Sequence, residues 1–378
     1  MLPSYPLTMT KTPIDGQDHR YMEAAIRLGR WHLGRTGTNP SVATILVKNG
    51  MILGSGITGL GGRPHAEAAA LAEAGKAAQG ATAYVTLEPC AHHGRTPPCA
   101  EALVRAGVAR VVSALTDPDD RVSGAGYQIL KNADITVNIG CEEKKANAVL
   151  GSYLARSMTK RAQVTLKLAV SSDGMIGKRD TSNFAITGSH AKAQSHILRS
   201  QHDAILIGVN TALGDDPALT CRLPGMAHRS PTRIVLDTGA RLPIQSQLVQ
   251  SVDQAPLILA TANPQSKNAK DLAAKGVRII ACASHEGRIA LPELMEDLAA
   301  IGITRVLVEG GAQVAHAFLA EKLVEQIALF ESDIVVGHQG IASPFSSQNL
   351  PDGFRVSAAY RFGVDRFFEC EAISCSPA

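Results

Sequence analysis

Residues 65–67 read His-Ala-Glu, and residues 89–99 read Pro-Cys-Ala-His-His-Gly-Arg-Thr-Pro-Pro-Cys. The two cysteines stand nine positions apart, a spacing that excludes a C-x-x-C redox pair. The segment before Cys90, "ATAYVTLEP", has the apolar pattern of a buried strand that stops at Pro89. The segment after the loop, "PPCAEALVRAGV", reads as a helix, since proline suits a first turn whose amides lack helical partners. Cys99 thus falls at a helix N-terminus, where the dipole favours a thiolate. Upstream, "HAEAAALAEAGKAAQG" is an alanine-rich helix that His65 opens and Gly75 or Gly80 closes. Before it, "SVATILVKNGMILGSGIT" gives a strand, an Asn49-Gly50 turn and a second strand. A helix from Asp18 to about Leu33 precedes this hairpin. The strand "ARVVSAL", a helix near 124–133 and the strand "ITVNIG" follow. The reading is an α/β unit to about residue 140, with a mixed or largely parallel sheet.

A chain of 378 residues is long for one core, so two domains are expected. Residues 142–160 are charged at both ends and helical between, as a connecting helix would be. A second alternating series begins at "AQVTLKLAVSSDGMI" and continues through "AILIG", "TRIVLD", "PLILAT", "VRIIA" and "ITRVLVEG". The expected organisation is a leader over 1–14, a first domain over 15–145, a linker helix over 146–160 and a second domain over 161–370. With aromatics at 4%, the cores must be built from Ala, Val, Leu and Ile. A net charge of +3 without a basic, aromatic-interleaved tract argues against nucleic acid as a partner. No run approaches 18 apolar residues, which argues against a membrane span. Seven scattered cysteines fit a reducing compartment, so the expected location is cytoplasmic. A homodimer or other homo-oligomer is expected, because soluble proteins commonly assemble symmetrically.

His65, Cys90 and Cys99 supply three zinc ligands and leave the fourth tetrahedral position for water, the arrangement of catalytic sites. Glu67 is then suited to carry a proton between nucleophile and leaving group. Zinc deaminases pair His-x-Glu with Pro-Cys-x-x-Cys. Residues 65–67 and 89–90 match that pattern, and the distance to Cys99 departs from it. A closed structural site completed by His92 or His93 is the alternative. In the second domain no G-x-G-x-x-G follows a strand. The strand "ITRVLV", Glu309-Gly310-Gly311 and a following helix offer amides to a diphosphate, although the pattern is also an ordinary tight connection. Arg199 and Arg222 suit a phosphate through the guanidinium fork. Lys167, in an otherwise apolar strand, either enters a cleft or caps a strand end.

"HAE", "GATAYVTLEPCAHHGRTPPCAEALVRAGVARVV" and "DPD…VSGAG", followed in order by "KLAVSSDGMIG", "ILRSQHDAILIGVNTALGDDPALTCR" and "VEGG", resemble one family over residues 18–365. It is the bacterial bifunctional deaminase/reductase family of riboflavin biosynthesis, the RibD type. The long loop between the cysteines separates it from nucleoside and tRNA deaminases. The resemblance implies an N-terminal cytidine-deaminase-like α/β/α domain with a mixed sheet and a C-terminal dihydrofolate-reductase-like α/β domain. It implies one Zn2+ per chain, NADPH, and a small phosphorylated pyrimidine that is first deaminated and then reduced at its ribosyl group. The deaminase side would use Asn39 at the base, with His92 and Arg95 as loop contacts to ring or phosphate. NADPH contacts would fall on Ala169, Ala185, Thr211, Asp215 and the run Gly311, Ala312, Gln313, Val314, Ala315, His316 and Ala317. Reductase substrate contacts would fall on Asn183, Arg199, Leu219, Arg222 and Glu309, with Lys167 a candidate proton donor. Ala185 replaces a tryptophan common in the family, and Ala43 replaces a glycine. Two other readings remain: a deaminase for a different base with a silent second domain, and a zinc-stabilised binding module without turnover.

Overall fold

The structure, a computed structural model, describes residues 13–92, 97–119, 122–179, 181–182 and 184–373. The chain divides into two compact units between Thr159 and Lys160.

The first unit runs α1 (Gly16–Gly29), β1 (Ala43–Lys48), β2 (Met51–Ile57), α2 (Ala66–Ala74), β3 (Thr82–Val85), α3 (Cys99–Ala106), β4 (Arg110–Ser113), α4 (Ala125–Asn132), β5 (Thr136–Ile139) and α5 (Glu143–Thr159). Its sheet has the order β2-β1-β3-β4-β5; β1 pairs antiparallel with β2 and β3, while β3, β4 and β5 are parallel. This is the mixed sheet expected from the sequence. The β1–β2 turn places Asn49 and Gly50 at φ +52° and +77°, the backbone that a two-residue hairpin demands. Helix α1 starts in a capping box, in which the Asp15 carboxylate accepts from the Asp18 amide while the Asp18 carboxylate accepts from the Asp15 amide. Ala43 is fully buried in β1, so the strand holds its methyl within the core.

Helix α2 carries the His-Ala-Glu motif, and small residues fix its position. Ala66, Ala70 and Ala74 recur every four residues and are buried on one face. That face lies directly on Gly54 and Gly56 of β2. A Cβ on Gly56 would stand 2.1 Å from the Ala66 carbonyl oxygen, and one on Gly54 would stand 2.4 Å from that of Ala70. Backbone atoms of a helix cannot move aside singly, so Gly56→Val must push the whole α2 N-terminus outward. We expect that variant to destabilise the first unit by about 3 kcal/mol and to lose zinc affinity, readable by denaturation and metal analysis. Unchanged values for both would mean that α2 is not held by this contact.

Helix α5, expected as a connector, is part of the first unit. Ala146, Val149 and Leu150 are buried in its core, and Tyr153 donates its hydroxyl to the Asp117 carboxylate at 3.0 Å. The charged residues at its start conceal this apolar stripe, and Lys145 there pairs with Glu142 at 2.8 Å and also with Glu23.

The second unit begins with β6 (Gln163–Val170), β7 (Met175–Lys178), α6 (Ser189–Ser200), β8 (Ala204–Gly208), α7 (Val209–Asp215), β9 (Thr232–Leu236), α8 (Gln247–Gln250), β10 (Leu257–Thr261), α9 (Lys267–Ala274) and β11 (Arg278–Ala281). It continues with β12 (Ser284–His285), β13 (Arg288–Ile289), α10 (Leu291–Ala300), β14 (Arg305–Val308), α11 (Ala312–Ala320), β15 (Val324–Glu331), β16 (Gly340–Ala342), β17 (Phe354–Phe362) and β18 (Asp365–Ala372). Nine strands form one sheet in the order β11-β10-β9-β8-β14-β6-β15-β18-β17. From β11 to β15 every pair is parallel, whereas β15–β18 and β18–β17 are antiparallel. The chain moves outward through β8, β9, β10 and β11, then returns to insert β14 between β8 and β6. In open α/β sheets ligands bind where the strand order reverses, which here points to the carboxyl ends of β8, β14 and β6. Cores on either side of the sheet are aliphatic, from Val164, Leu166, Val306 and Leu294 on one side to Ile205, Val235 and Leu259 on the other.

Among the described residues, no helix is long and apolar enough to cross a membrane.

Candidate active sites

The sequence-distant residues of the first motif converge. His65 caps α2 with extended backbone (φ −69°, ψ 155°) and makes no side-chain cap hydrogen bond, and Cys99 is the first residue of α3. Cys90 follows β3 after a short irregular segment that bends at Thr86 and Leu87. His65 Nδ1 lies 3.6 Å from Cys90 Sγ and 3.3 Å from Cys99 Sγ, and the Cys99 amide donates to Cys90 Sγ at 3.3 Å. The three ligand atoms lie within 4.8 Å of one another and, among the described residues, are the one such group of three. His92 is not a member; its Nδ1 is buried without a hydrogen-bond partner. His93 and Arg95 lie outside the described residues.

The electrostatics fit a cation at this point. The Cys99 thiol donates to Cys90 and, with His65 and the Cys99 amide, brings the Cys90 thiol down to about 4 despite its burial. That thiolate, together with burial, pushes the Cys99 thiol up, so the pair shares one proton. A thiophilic cation takes the place of that proton, and an imidazole with two thiols is a borderline-soft donor set suited to zinc. Glu67 lies one helix position beyond Ala66 and is buried. Burial first, and the Cys90 thiolate second, push its carboxyl up to about 7. An acid at that value both holds and releases a proton near neutrality.

Asn39 braces the approach to His65. Its Nδ2 donates to the Gly62 carbonyl at 2.9 Å, which leaves the amide oxygen as the atom that can accept from a base. Glu88 was not singled out in the sequence, although it stands inside the quoted "TLEPC". Its buried carboxylate accepts from the amides of Gly124 and Gly126 at 3.0 Å and from those of Asp117 and Tyr127 at 3.3 and 3.4 Å. It ties the segment leading to Cys90 to the start of α4. An acid closing an apolar strand was the signal that could have marked it.

In the second unit, Glu309 follows β14, and its side chain is 9% exposed. Arg199 of α6 meets it with both edges of its fork, Nε to Oε1 at 2.8 Å and Nη2 to Oε2 at 2.9 Å, while Nη1 donates to the Thr220 carbonyl at 3.3 Å. The fork expected to face a phosphate is therefore occupied by an acid on its own chain, because a buried carboxylate needs a counter-charge. Arg222 is exposed, and its amide donates to His196 Nδ1 at 3.4 Å. His196, one helical turn before Arg199, was not marked in the sequence; burial first, then Arg199 and Arg222, lower its pKa. Lys167 points its ammonium to the same acid, Nζ to Oε2 at 3.7 Å, and stands 5.7 Å from the centre of the Phe330 ring. Lys167 therefore does not cap an exposed strand end: its side chain is 16% exposed and its ammonium is turned to Glu309.

Although burial opposes it, Arg199 and Lys167 together hold the Glu309 carboxyl at about 2, below the ordinary 4.5. A depressed carboxyl stabilises the fold above its unfolded pKa and loses that contribution as pH falls toward its folded value. The Glu309 contribution, about 3 kcal/mol, should be present above about pH 4.5 and vanish toward pH 2. Acid unfolding of Glu309→Gln should lose this part of its pH dependence; an identical acid limb in both proteins would contradict the pairing.

Thr211, in α7, places its hydroxyl 3.7 Å from where a Cβ on Gly311 would stand, so the loops after β8 and β14 meet. A Cβ on Gly310 would fall 2.5 Å from that of Val314, and glycine lets the chain turn tightly into α11. The expected run from Gly311 to Ala317 is narrowed by the structure. Ala315 is fully buried and its amide is bonded to the Gly311 carbonyl, so only the first turn of α11 offers free amides. Gln313 and His316 are exposed, while Ala312, Val314 and Ala317 are half-buried. The Leu219 side chain packs into the core at φ +55°, leaving its backbone as the part that can meet a ligand. Ala169 and Asp215 are half-buried, Ala185 is exposed, and Asn183 lies outside the described residues.

Residues 15–115 match the cytidine and deoxycytidylate deaminase zinc-binding region, and residues 162–365 match the RibD C-terminal domain. The riboflavin biosynthesis protein RibD of Aquifex aeolicus is 37% identical over 320 residues, covering 85% of this chain and 88% of that protein. A solved RibD of Acinetobacter baumannii superposes with a TM-score of 0.82 at 34% identity, covering 94% of this chain and 99% of that one. A solved diaminohydroxyphosphoribosylaminopyrimidine deaminase/5-amino-6-(5-phosphoribosylamino)uracil reductase of Thermotoga maritima gives 0.83 at 29% identity, covering 94% and 98%. Fold and site thus define a zinc-dependent deaminase carried on one chain with an NADPH-dependent reductase. The chain belongs to the RibD family, the bifunctional deaminase and reductase of riboflavin biosynthesis.

Proposed function

We propose that this chain catalyses two consecutive steps on one phosphorylated pyrimidine. The first is hydrolytic removal of the 2-amino group from 2,5-diamino-6-ribosylamino-4(3H)-pyrimidinone 5′-phosphate. The second is reduction of the ribosyl group of the product to give 5-amino-6-(5-phospho-D-ribitylamino)uracil. The observation that carries the reading is the meeting of His65, Cys90 and Cys99 beside the buried Glu67. In this reading the deaminase domain begins at 15 and includes α5, which the sequence sets apart as a linker from 146, and the reductase domain spans 161–370.

Zinc held by His65, Cys90 and Cys99 would supply Lewis acidity and lower the pKa of the attacking water. Glu67 carries one proton of the attacking water to the ring nitrogen, and then carries the proton of the hydroxyl added to C2 to the amine, which leaves as ammonia as the C2 carbonyl forms. Its burial keeps the proton from bulk solvent. Asn39 orients the base through its amide oxygen, and His92 bonds the substrate, a role supported by its buried Nδ1 having no partner within the chain.

Bound NADPH would supply the hydride that C1′ of the ribosyl group accepts in the second step. As the C1′–O bond opens, the ring oxygen needs a proton, and Lys167 is the donor. Glu309 holds the Lys167 ammonium, and Arg199 orients Glu309 by occupying both its oxygens. The first-turn amides of α11, with Thr211 beside them, would hold the cofactor diphosphate. The scattered cysteines suit a reducing cytoplasm, and assembly as a homodimer or other homo-oligomer belongs to the same reading.

The test is ammonia release from the diaminopyrimidinone by the zinc-loaded chain. Release that stops on chelation and returns with added zinc supports the reading. Release indifferent to chelation overturns it.

A further inference from the structure

The end of helix α5 bonds two loops that lead into the deaminase site. Tyr153 donates to the carboxylate of Asp117, whose own amide is held by Glu88, two residues before Cys90. Three residues on, Arg156 Nη2 donates to the Thr38 carbonyl at 2.7 Å, and the guanidinium carbon stands 5.9 Å from the centre of the Tyr153 ring. Thr38 is the residue before Asn39, and Asn39 bonds Gly62, three residues before His65.

The turn that carries Asn39 is tight within itself. The Asn39 amide donates to the Thr36 carbonyl at 3.2 Å, and the Thr36 hydroxyl donates to the Asn39 carbonyl at 2.7 Å. Gly37, at its middle, has φ +60°, and a Cβ there would meet nothing within 4 Å. The Gly61 amide holds the start of the turn by donating to the Arg35 carbonyl at 2.9 Å. At the Asn39 end, the bond from Arg156 to Thr38 supplies a second hold. It comes from a helix whose Val149 and Leu150 are core residues, so the hold is fixed to a rigid element. The fit it protects is close. Gly62 stands at φ +92°, and a Cβ there would fall 2.5 Å from Asn39 Nδ2, so a shift of the turn moves the amide out of its place. Arg156 Nε, meanwhile, is buried with no hydrogen-bond partner. A buried unpaired N–H costs stability, which weighs against a role in folding alone.

We propose that Arg156 is a positioning residue of the deaminase: through the Thr38 carbonyl it sets where the Asn39 amide oxygen meets the base. The inference rests on the deaminase reading, with Asn39 as the contact to the base. Asn39 holds the base in the ground state and the transition state alike, so the effect falls on KM and not on kcat.

The experiment measures ammonia release against concentration of the diaminopyrimidinone ribosyl phosphate, using the zinc-loaded full-length chain, R156M, R156K, N39A and the double variant R156M/N39A. R156M should raise KM by about 10-fold, the worth of one hydrogen bond to the base. Its kcat and its zinc content should match the native chain, and R156K should lie between the two. In the N39A background the loss of Arg156 should raise KM no further, because both residues act through one contact. Should R156M fail to fold, R156K alone and combined with N39A makes the same comparison. Multiplied KM effects in the double variant, an unchanged KM in R156M, or a fall in kcat with loss of zinc would overturn the role of Arg156 while leaving the deaminase reading intact. A native zinc-loaded chain that releases no ammonia would overturn that reading and the inference with it.

Discussion

Glu67→Gln is expected to cut ammonia release by about 10²- to 10⁴-fold, the usual worth of a positioned acid–base group, while zinc remains bound. The amide keeps the size of the carboxyl and cannot carry the proton. The ligand atoms belong to His65, Cys90 and Cys99, so metal content should stay at one ion per chain. The buried carboxyl is pushed up by desolvation and by the Cys90 thiolate, and exchange for a neutral amide removes a strained charge from that pocket. Thermal stability should therefore hold or rise. Joint loss of zinc and activity would make Glu67 a ligand or support of the metal. Full activity in the variant would remove the shuttle from the account.

Lys167→Met should carry the second large effect, confined to the reductase step. Methionine fills much of the lysine stem in β6 but has no proton to give. NADPH oxidation with the deaminated substrate should fall by about 10²- to 10⁴-fold, and ammonia release should be untouched. The lysine also helps keep Glu309 ionised, although Arg199 still holds both carboxylate oxygens in the variant. NADP+ should thus still bind. Weakened NADP+ binding at unchanged turnover would assign Lys167 to the cofactor rather than to the proton.

The metal site was almost fully legible, because its chemistry depends on residue types at positions that local structure pins. His65 at a helix opening and Cys99 at a helix start follow from alanine periodicity and proline placement, and a strand ending at Pro89 brings Cys90 between them. The reductase site was legible as a set of motifs and not as a geometry. An arginine and a glutamate 110 positions apart in sequence gave no sign that they would neutralise one another. The edge of the sheet escaped as well. Strands β17 and β18 form an antiparallel hairpin in which most β17 side chains are exposed, so the alternation that marks a half-buried strand is absent. Helix α5 was read as a connector because its charges sit at the ends, whereas Val149 and Leu150 are core residues.

The central claim is that one chain performs deamination and then reduction, each with its own residues. It is tested most directly by following NADPH absorbance after adding the undeaminated pyrimidinone to native and Glu67→Gln chains. The native chain should oxidise NADPH after a lag that tracks ammonia release. The variant should oxidise none until the deaminated intermediate is supplied, and should then proceed at the native rate. NADPH oxidation by the variant without that addition, or no oxidation by either chain with the intermediate present, would contradict the account.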